Sequence, residues 1–361
     1  MRIELSRRPD PSPVARALAP VFAAVLVFAL GAVIVYLMGK SPSQVFYAYI
    51  VYPLSDAWGL EQIIAKATPL ALIAVGLSYC ARANLWNIGA EGQYTMGAIF
   101  GGWLAIHTHG TDAGYWVWPT MLVLGALGGM LWGLVPALLK TRYNVNEILS
   151  SLMLVYVVQQ LLDYLGRGPW RDPQGRNMPN SAIFDGNAII PSMIDGTSVH
   201  YETLIALLVV LISAVVFSRT VFGYRIRLTG DAPRAAHFAG YDNRTTTLIV
   251  FAISGALAGL AGIAEISGTN HQILAEIRTG YGFTSIIVAF LGRLNPIGIL
   301  FASLVLSLSV IGGQNAQLMV KLPYDLTSTF QGLLLMFILA ADAMVSYRLH
   351  IFRGKGRSHA V

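Results

Sequence analysis

Seven consecutive residues, Asn87-Ile88-Gly89-Ala90-Glu91-Gly92-Gln93, place two amides and a carboxylate among glycines inside an otherwise apolar region. Such polar groups are costly inside a membrane and face a cavity or a neighbouring helix. Gly89 and Gly92 permit an unwound backbone at membrane depth, which is tolerated only where it is buried in protein or lines a cavity. Two readings of Asn87, Glu91 and Gln93 therefore stand. They meet a polar substrate, or they satisfy the broken backbone. Further on, Asn144-Val145-Asn146-Glu147 opens another apolar run. Glu147 near a helix N-terminus is favoured by the dipole, so capping competes with a pathway role for Asn146 and Glu147. Gln159 and Gln160 lie within that run, and one of them is expected to face a pore. Gln314, Asn315 and Gln317 follow a later run and would form an outer vestibule or a plain loop.

Other chemistries lack their residues. No GxxxxGK[ST], HExxH or GxSxG is present, and no His/Cys cluster has metal-ligand spacing. His107 and His109 stand at an expected loop end. No nucleophile–base pair emerges, which argues against an intramembrane enzyme.

A long polar insert, residues 219–246, carries Arg219, Arg225, Arg227, Arg234 and Arg244 against Asp231 and Asp242. In a chain of apolar spans an Arg-rich loop lies on the cytoplasmic side. Asp231 is expected to N-cap a short helix over 234–239, with Pro233 in its first turn and Gly240 just past its end. Asp242 then caps the next span. The insert reads as a short helix outside the bilayer on which a soluble partner pushes. The plainer alternative is a solvated, positive-inside connector. Asn243-Arg244-Thr245 matches a glycosylation sequon, but its cytoplasmic placement makes the match coincidental.

The elements that position these residues follow from composition. The 361 residues are 55% hydrophobic and 12% charged, with mean hydropathy +0.61, whereas soluble domains carry about a quarter charged residues. This is a polytopic membrane protein. Its net charge of +6 sits in ends and loops, as orientation requires, and does not imply nucleic acid. A single cysteine, Cys80, leaves no intramolecular disulfide.

Apolar runs are expected to span at 21–38, 63–81, 94–106, 116–139, 145–165, 201–217, 247–266, 283–291, 297–311 and 324–345, with 43–60 amphipathic at the outer interface. The first run is too long for a cleaved signal core and lacks a cleavage site. The eighth and ninth, interrupted by Gly292-Arg293-Leu294-Asn295-Pro296, are half-helices or tilted spans, since about 10 residues cover roughly half the hydrocarbon core. The fold class is thus all-α: a helical bundle of about ten spans with both termini cytoplasmic. A polar tail (1–17) and a basic tail (347–361) flank the transmembrane unit (18–346). Gly125, Gly129 and Gly133, and the run Gly255–Gly262, form small-residue packing faces. The outer loop 166–200 offers Arg167, Trp170, Arg171 and Arg176 as a polar surface with an aromatic anchor for a protein partner.

Four segments carry a family likeness: ANLWNIGAEGQYTMGAIFGG (83–102), VNEILSSLML (145–154), RLTGDAPRAAHFAGY (227–241) and GYGFTSIIVAFLGRLNPIGI (280–299). They resemble the inner-membrane permeases of bacterial, binding-protein-dependent ABC importers serving ribose, other simple sugars and branched-chain amino acids. The likeness covers roughly residues 17 to 346 in matching order and is nearest to the nucleoside-uptake branch. It implies a permease of the bacterial inner membrane, without an ATPase site of its own, working by alternating access. The implied partners are ABC ATPase subunits, a second permease subunit and an external substrate-binding lipoprotein, within membrane lipid. The chain would bind no cofactor, ATP and Mg being used by the ATPase. The loop with Gly230, Asp231, Arg234, Ala235, Ala236 and Gly240 would be the coupling loop, although it lacks a glutamate before the alanine pair. Nucleosides, purine nucleosides first, are the implied substrate; ribose or another simple sugar is the alternative. A secondary transporter is a more distant one. It also uses broken helices but would need its ion or proton site from Glu91, Glu147, Glu265 and Asp342.

Overall fold

The computed structural model describes residues 2–7, 13–175, 178–194, 196–274, 280–323 and 325–352. After a short strand, β1 (Arg2–Arg7), the chain forms α1 (Pro13–Leu37) and then α2 (Pro42–Phe46), a π-helical turn (Tyr47–Val51) and α3 (Tyr52–Leu54). The central helices follow: α4 (Ala57–Arg82), α5 (Ala90–His107), α6 (Val117–Tyr143), α7 (Glu147–Arg167) and α8 (Tyr201–Arg219). On the basic face come α9 (Val221–Asp231) and α10 (Pro233–Phe238), then α11 (Asn243–Ala264), which continues as a π-helical turn (Glu265–Asn270). The chain ends with α12 (Tyr281–Leu291), α13 (Pro296–Val320), α14 (Asp325–Ser346) and strand β2 (Tyr347–Phe352).

Ten of these helices correspond in order to the ten expected runs. Among the described residues six are long and apolar enough to cross a membrane: α4, α6, α7, α8, α11 with its π turn, and α13. Shorter apolar stretches occupy Phe22–Leu37, Tyr281–Leu291 and Asp325–Ala341. The helices start where short polar side chains take up the free N–H groups of the first turn. Asp56 accepts from Gly59 N at 2.8 Å, Asn146 from Ile148 N at 2.9 Å, and Asn295 from Ile297 N at 3.1 Å.

The bundle is helical as expected, and the chain's two ends add one short strand pair to it. β1 and β2 pair antiparallel, from Arg2 opposite Phe352 to Arg7 opposite Tyr347. Both segments alternate apolar and polar residues, the period of a strand. The ends expected as polar tails therefore meet; the rest of the basic tail, 353–361, lies outside the described residues.

The core is built on glycine. Gly125, Gly129 and Gly133 of α6 lie against α11, where a Cβ on Gly129 would collide with the Gly255 carbonyl and one on Gly259 with the Gly125 carbonyl. Gly97 of α5 meets Gly259 as closely. Both small-residue faces read in the sequence thus pack on one another. Around this block α4 is buried along most of its length. The long loop between α7 and α8 is held down by Phe184, Ala188 and Ile190, all buried. It is also tied to 271–274 through Ser181 N to Ile273 O at 2.9 Å and Phe184 N to His271 O at 2.8 Å.

Candidate functional site

The α4–α5 connection returns into the bundle before α5 begins, and its polar residues close on one another. The Asn87 amide donates to Gln93 Oε1 at 2.9 Å and to Ser254 Oγ at 3.0 Å. Gln93 Nε2 donates back to Asn87 Oδ1 at 3.0 Å, and Gly89 N–H donates to the same oxygen at 3.2 Å. Ser254 lies about 17 Å along α11 from its start at 1.5 Å per residue, so the knot sits near mid-depth of a bilayer core of about 30 Å.

Glu91 completes the break. Its carboxylate accepts from Gly280 N at 3.1 Å and Gly282 N at 2.5 Å, and so caps α12. The N-cap residue of α12 is Gly280, at φ +67 with no side chain to offer. A Cβ at Gly282 would collide with the Glu91 backbone, so glycine is required there. A half-helix N-terminus at mid-depth is a place where an anion binds. Here the chain's own carboxyl group occupies that place. Glu91 is 1% exposed. Of the two readings, the geometry engages all three groups with the protein's own backbone and amides.

The remaining pathway candidates do not converge. Asn146 is exposed and caps α7. Glu147 pairs with Lys140 at 3.0 Å. Gln159 is half-buried and Gln160 exposed on α7. Residues 314–317 lie inside α13 rather than in a loop beyond it, because the helix runs on to Val320. Asn315 is buried there with Nδ2 unpartnered, while Gln314 and Gln317 are exposed. Of the residues expected on the outer loop, Arg167 is instead the last residue of α7, exposed and 3.8 Å from Asp163. Trp170 packs on the core rather than standing free, and Arg176 lies outside the described residues. A hollow lined by Val27, Val35, Tyr49, Val305, Phe330 and other residues, mostly apolar, borders α1, α13 and α14, a poor match to a polar substrate.

Sequence reasoning named Glu265 but missed the buried charge cluster it belongs to, at the opposite end from the basic face. Lys66 of α4 pairs with Glu265 Oε1 at 2.8 Å, and Tyr281 OH donates to the same oxygen at 3.3 Å. Glu202 of α8 is buried close to Gly268. Glu202 Oε2 and Glu265 Oε2 both lack partners. Glu265 opens the π turn, a feature frequent at functional sites. The usable signal was Lys66, a lysine inside an apolar run. Asp342, the other acid considered, lies on α14 with its side chain outside the described residues.

On the basic face the insert is two helices, not one. Thr220 caps α9, accepting from Gly223 N at 3.2 Å. Asp231, expected as a cap, is instead the last residue of α9; Ala232 precedes Pro233 as the turn between the helices. Gly240 follows α10 at φ +82, the left-handed turn its position calls for. Asp242 accepts from Arg244 N and Thr245 N, both at 3.1 Å, and caps α11. The Thr245 hydroxyl first, and these backbone N–H groups next, hold its carboxyl below the usual carboxylate range. Arg225 binds Thr246 Oγ1 at 2.8 Å and the Asp242 carbonyl at 3.0 Å. It therefore ties α9 to α11, beyond the orienting role its charge implies. Ala236 is 0% exposed, packed within the loop, whereas Asp231, Arg234, Ala235 and Gly240 are exposed. Phe238, overlooked in the sequence, is 91% exposed at the end of α10.

The sequence pattern of the family described as "Branched-chain amino acid transport system / permease component" matches residues 59–339. A glucose ABC transporter permease protein of Haloferax volcanii is 32% identical over 92% of this chain and 89% of its own length. A guanosine ABC transporter permease protein of Bacillus subtilis is 27% identical over 94% of this chain and 96% of its own. A nucleoside ABC transporter permease protein of Lactococcus lactis is 26% identical over 82% and 84%. With its helical bundle and apolar spans, this chain belongs to the branched-chain amino acid transport system permease component family.

Proposed function

We propose that this chain is the membrane-spanning subunit of an ATP-binding cassette importer that moves nucleosides, purine nucleosides first, into the cell by alternating access. The observation that carries this reading is the paired-helix insert α9–α10. It is built as a stiff element outside the spans, tied to α11 by Arg225 and ending in a bare aromatic side chain, Phe238. An exposed Phe on a short helix is a hot-spot side chain for a soluble partner. On this reading ATPase subunits dock on Gly230, Asp231, Arg234, Ala235 and Gly240 around Phe238, while Ala236 holds the loop together from within. Ten helices cross the bacterial inner membrane and both termini lie in the cytoplasm, an arrangement consistent with the β1–β2 pairing. A second permease subunit completes the pathway, and a substrate-binding protein docks at the outer loop. This chain hydrolyses no ATP.

Glu91 favours a neutral substrate, because its carboxyl group already fills the half-helix terminus where an anionic substrate group would bind. A second reading, import of ribose or another simple sugar, is favoured by the 32% identity to the glucose permease. The test is uptake by the complete complex in proteoliposomes with internal ATP, comparing labelled guanosine with ribose and glucose. Guanosine uptake that ATP depletion abolishes supports the proposal. Sugar uptake alone moves the substrate to the second reading. Uptake that persists without ATP but follows a proton gradient rules out an ATP-driven importer.

A further inference from the structure

The insert α9–α10 and the half-helix α12 lie on different parts of the chain, yet one side chain joins them. Arg82, the last residue of α4, donates through Nε at 3.0 Å and Nη2 at 2.8 Å to the Leu294 carbonyl in the α12–α13 turn. That turn holds two consecutive non-glycine residues in the left-handed region, Arg293 at φ +55 and Leu294 at φ +56. Such a conformation is strained and persists only where the surroundings enforce it. The fork of Arg82 on a single carbonyl is one such enforcement.

The same arginine touches the basic-face insert once directly, at Gly230, and once through Phe217 of α8. Gly230 of α9 sits so close to the Arg82 carbonyl that any side chain there would collide with it. The Arg82 guanidinium also lies 4.1 Å from the centre of the Phe217 ring, and Arg227 of α9 donates to the Phe217 carbonyl at 3.2 Å. Beyond Arg82, the connection to α5 follows α12 along its length. Trp86 stacks on Phe290 near its C-terminal end with 5.5 Å between ring centres, and Glu91 caps its N-terminal end. Residues 82–91 thus bracket α12 from both ends, and α9 bears on the bracket at Arg82.

We propose that Arg82 is the positioning residue through which displacement of α9–α10 passes to α12, the half-helix whose other end lies near mid-depth. The inference rests on the importer reading above. The mechanism is mechanical: α9 pushes on the Arg82 backbone at Gly230, and the guanidinium carries the push to the Leu294 carbonyl. Arg82→Gln removes the planar fork. Arg82→Lys keeps one charged donor but not the paired geometry.

The test uses the complete complex with ATPase and binding protein in proteoliposomes, with labelled guanosine as the transported probe. In Arg82→Gln the ATPase should remain bound and hydrolyse ATP, while guanosine imported per ATP falls about five- to tenfold, within the range for residues along a coupling chain. Arg82→Lys should recover part of that ratio. A second readout follows Trp86 emission, taken as the difference between the unmodified complex and Trp86→Phe. It should change on adding ATP to the unmodified complex and stay still in Arg82→Gln. An unaltered ratio in Arg82→Gln overturns the relay and leaves the importer reading intact. If Arg82→Gln does not assemble, the unmodified complex decides, because a Trp86 signal indifferent to ATP also overturns the relay. Absence of any ATPase on the unmodified chain overturns the importer reading and the relay together.

Discussion

Glu91 offers the sharpest test of how the mid-depth break is held. The carboxylate takes two backbone N–H groups of α12, at 3.1 and 2.5 Å, in a site closed to solvent. Glu91→Gln keeps the shape but has one acceptor oxygen in place of two. Its amide nitrogen would point a donor at a donor. A hydrogen bond to a charged group contributes about 1.5–3 kcal/mol, and a neutral one about 1 kcal/mol. Losing one bond and weakening the other should therefore destabilise the α12 end by about 2–5 kcal/mol. Glu91→Asp is shorter by one methylene and cannot reach both N–H groups from the same backbone, so it should also destabilise. The assay is thermal unfolding of the purified complex in lipid nanodiscs, with hydrogen exchange of residues 280–284 reporting locally. Expected are a lower transition temperature and faster exchange in that segment for both variants. If Glu91→Gln melts like the unmodified protein yet fails in uptake, the carboxylate serves the substrate and the capping argument is wrong.

Three further outcomes are expected. Asn87→Ala should strand Gln93 and Ser254 and cost about 1–3 kcal/mol, whereas Asn87→Leu with Gln93→Leu together should cost less than the sum of the singles, read from a double-mutant cycle of unfolding. Lys66→Met leaves the Glu265 carboxylate buried without its ammonium and should cost about 3 kcal/mol or more; adding Glu265→Gln should recover much of it, and equal stability of single and double variants would remove Lys66–Glu265 from the core account. Phe238→Ala should release the ATPase during co-purification while the permease melts normally, whereas Ala236→Trp should lower the melting temperature itself, since Ala236 has no free face; intact co-purification of Phe238→Ala would place the docking surface elsewhere.

The order of the helices was legible because it depends on runs of apolar residues. The glycine faces were legible because spacing alone puts Gly125, Gly129 and Gly133 on one side of a helix. The break was visible in Gly89, the residue before α5, but Gly92 lies inside that helix with Glu91 and Gln93, whose roles the sequence did not show. Their partners, Gly280, Gly282 and Asn87, are fixed by tertiary contacts, which no local pattern encodes. Helix α9 was read as loop because its arginines outweighed the inward-facing Ile226 and Thr229. Ala236 was expected on the docking face and turns inward, and Phe238 was overlooked, for a similar reason: in a helix of six residues the sequence does not say which face turns inward. The cluster of Lys66, Glu202 and Glu265 joins residues almost 200 positions apart, and only packing brings them together.

The glycine contacts between α5, α6 and α11 have a consequence for motion. Shear between packed helices needs a layer of side chains that slide and repack in small steps. At Gly97, Gly125, Gly129, Gly255 and Gly259 backbone rests directly on backbone, and no such layer exists. These three helices then behave as a stator, and rearrangement falls to the helices around them; α12, whose Gly282 end rests on the Glu91 backbone, moves at its other end. Spin labels placed in pairs on the exposed faces of α6 and α5 should hold one distance through the ATP cycle, whereas pairs from α6 to the Phe290 end of α12 should not. The stator also gives every such measurement a fixed origin inside the molecule itself.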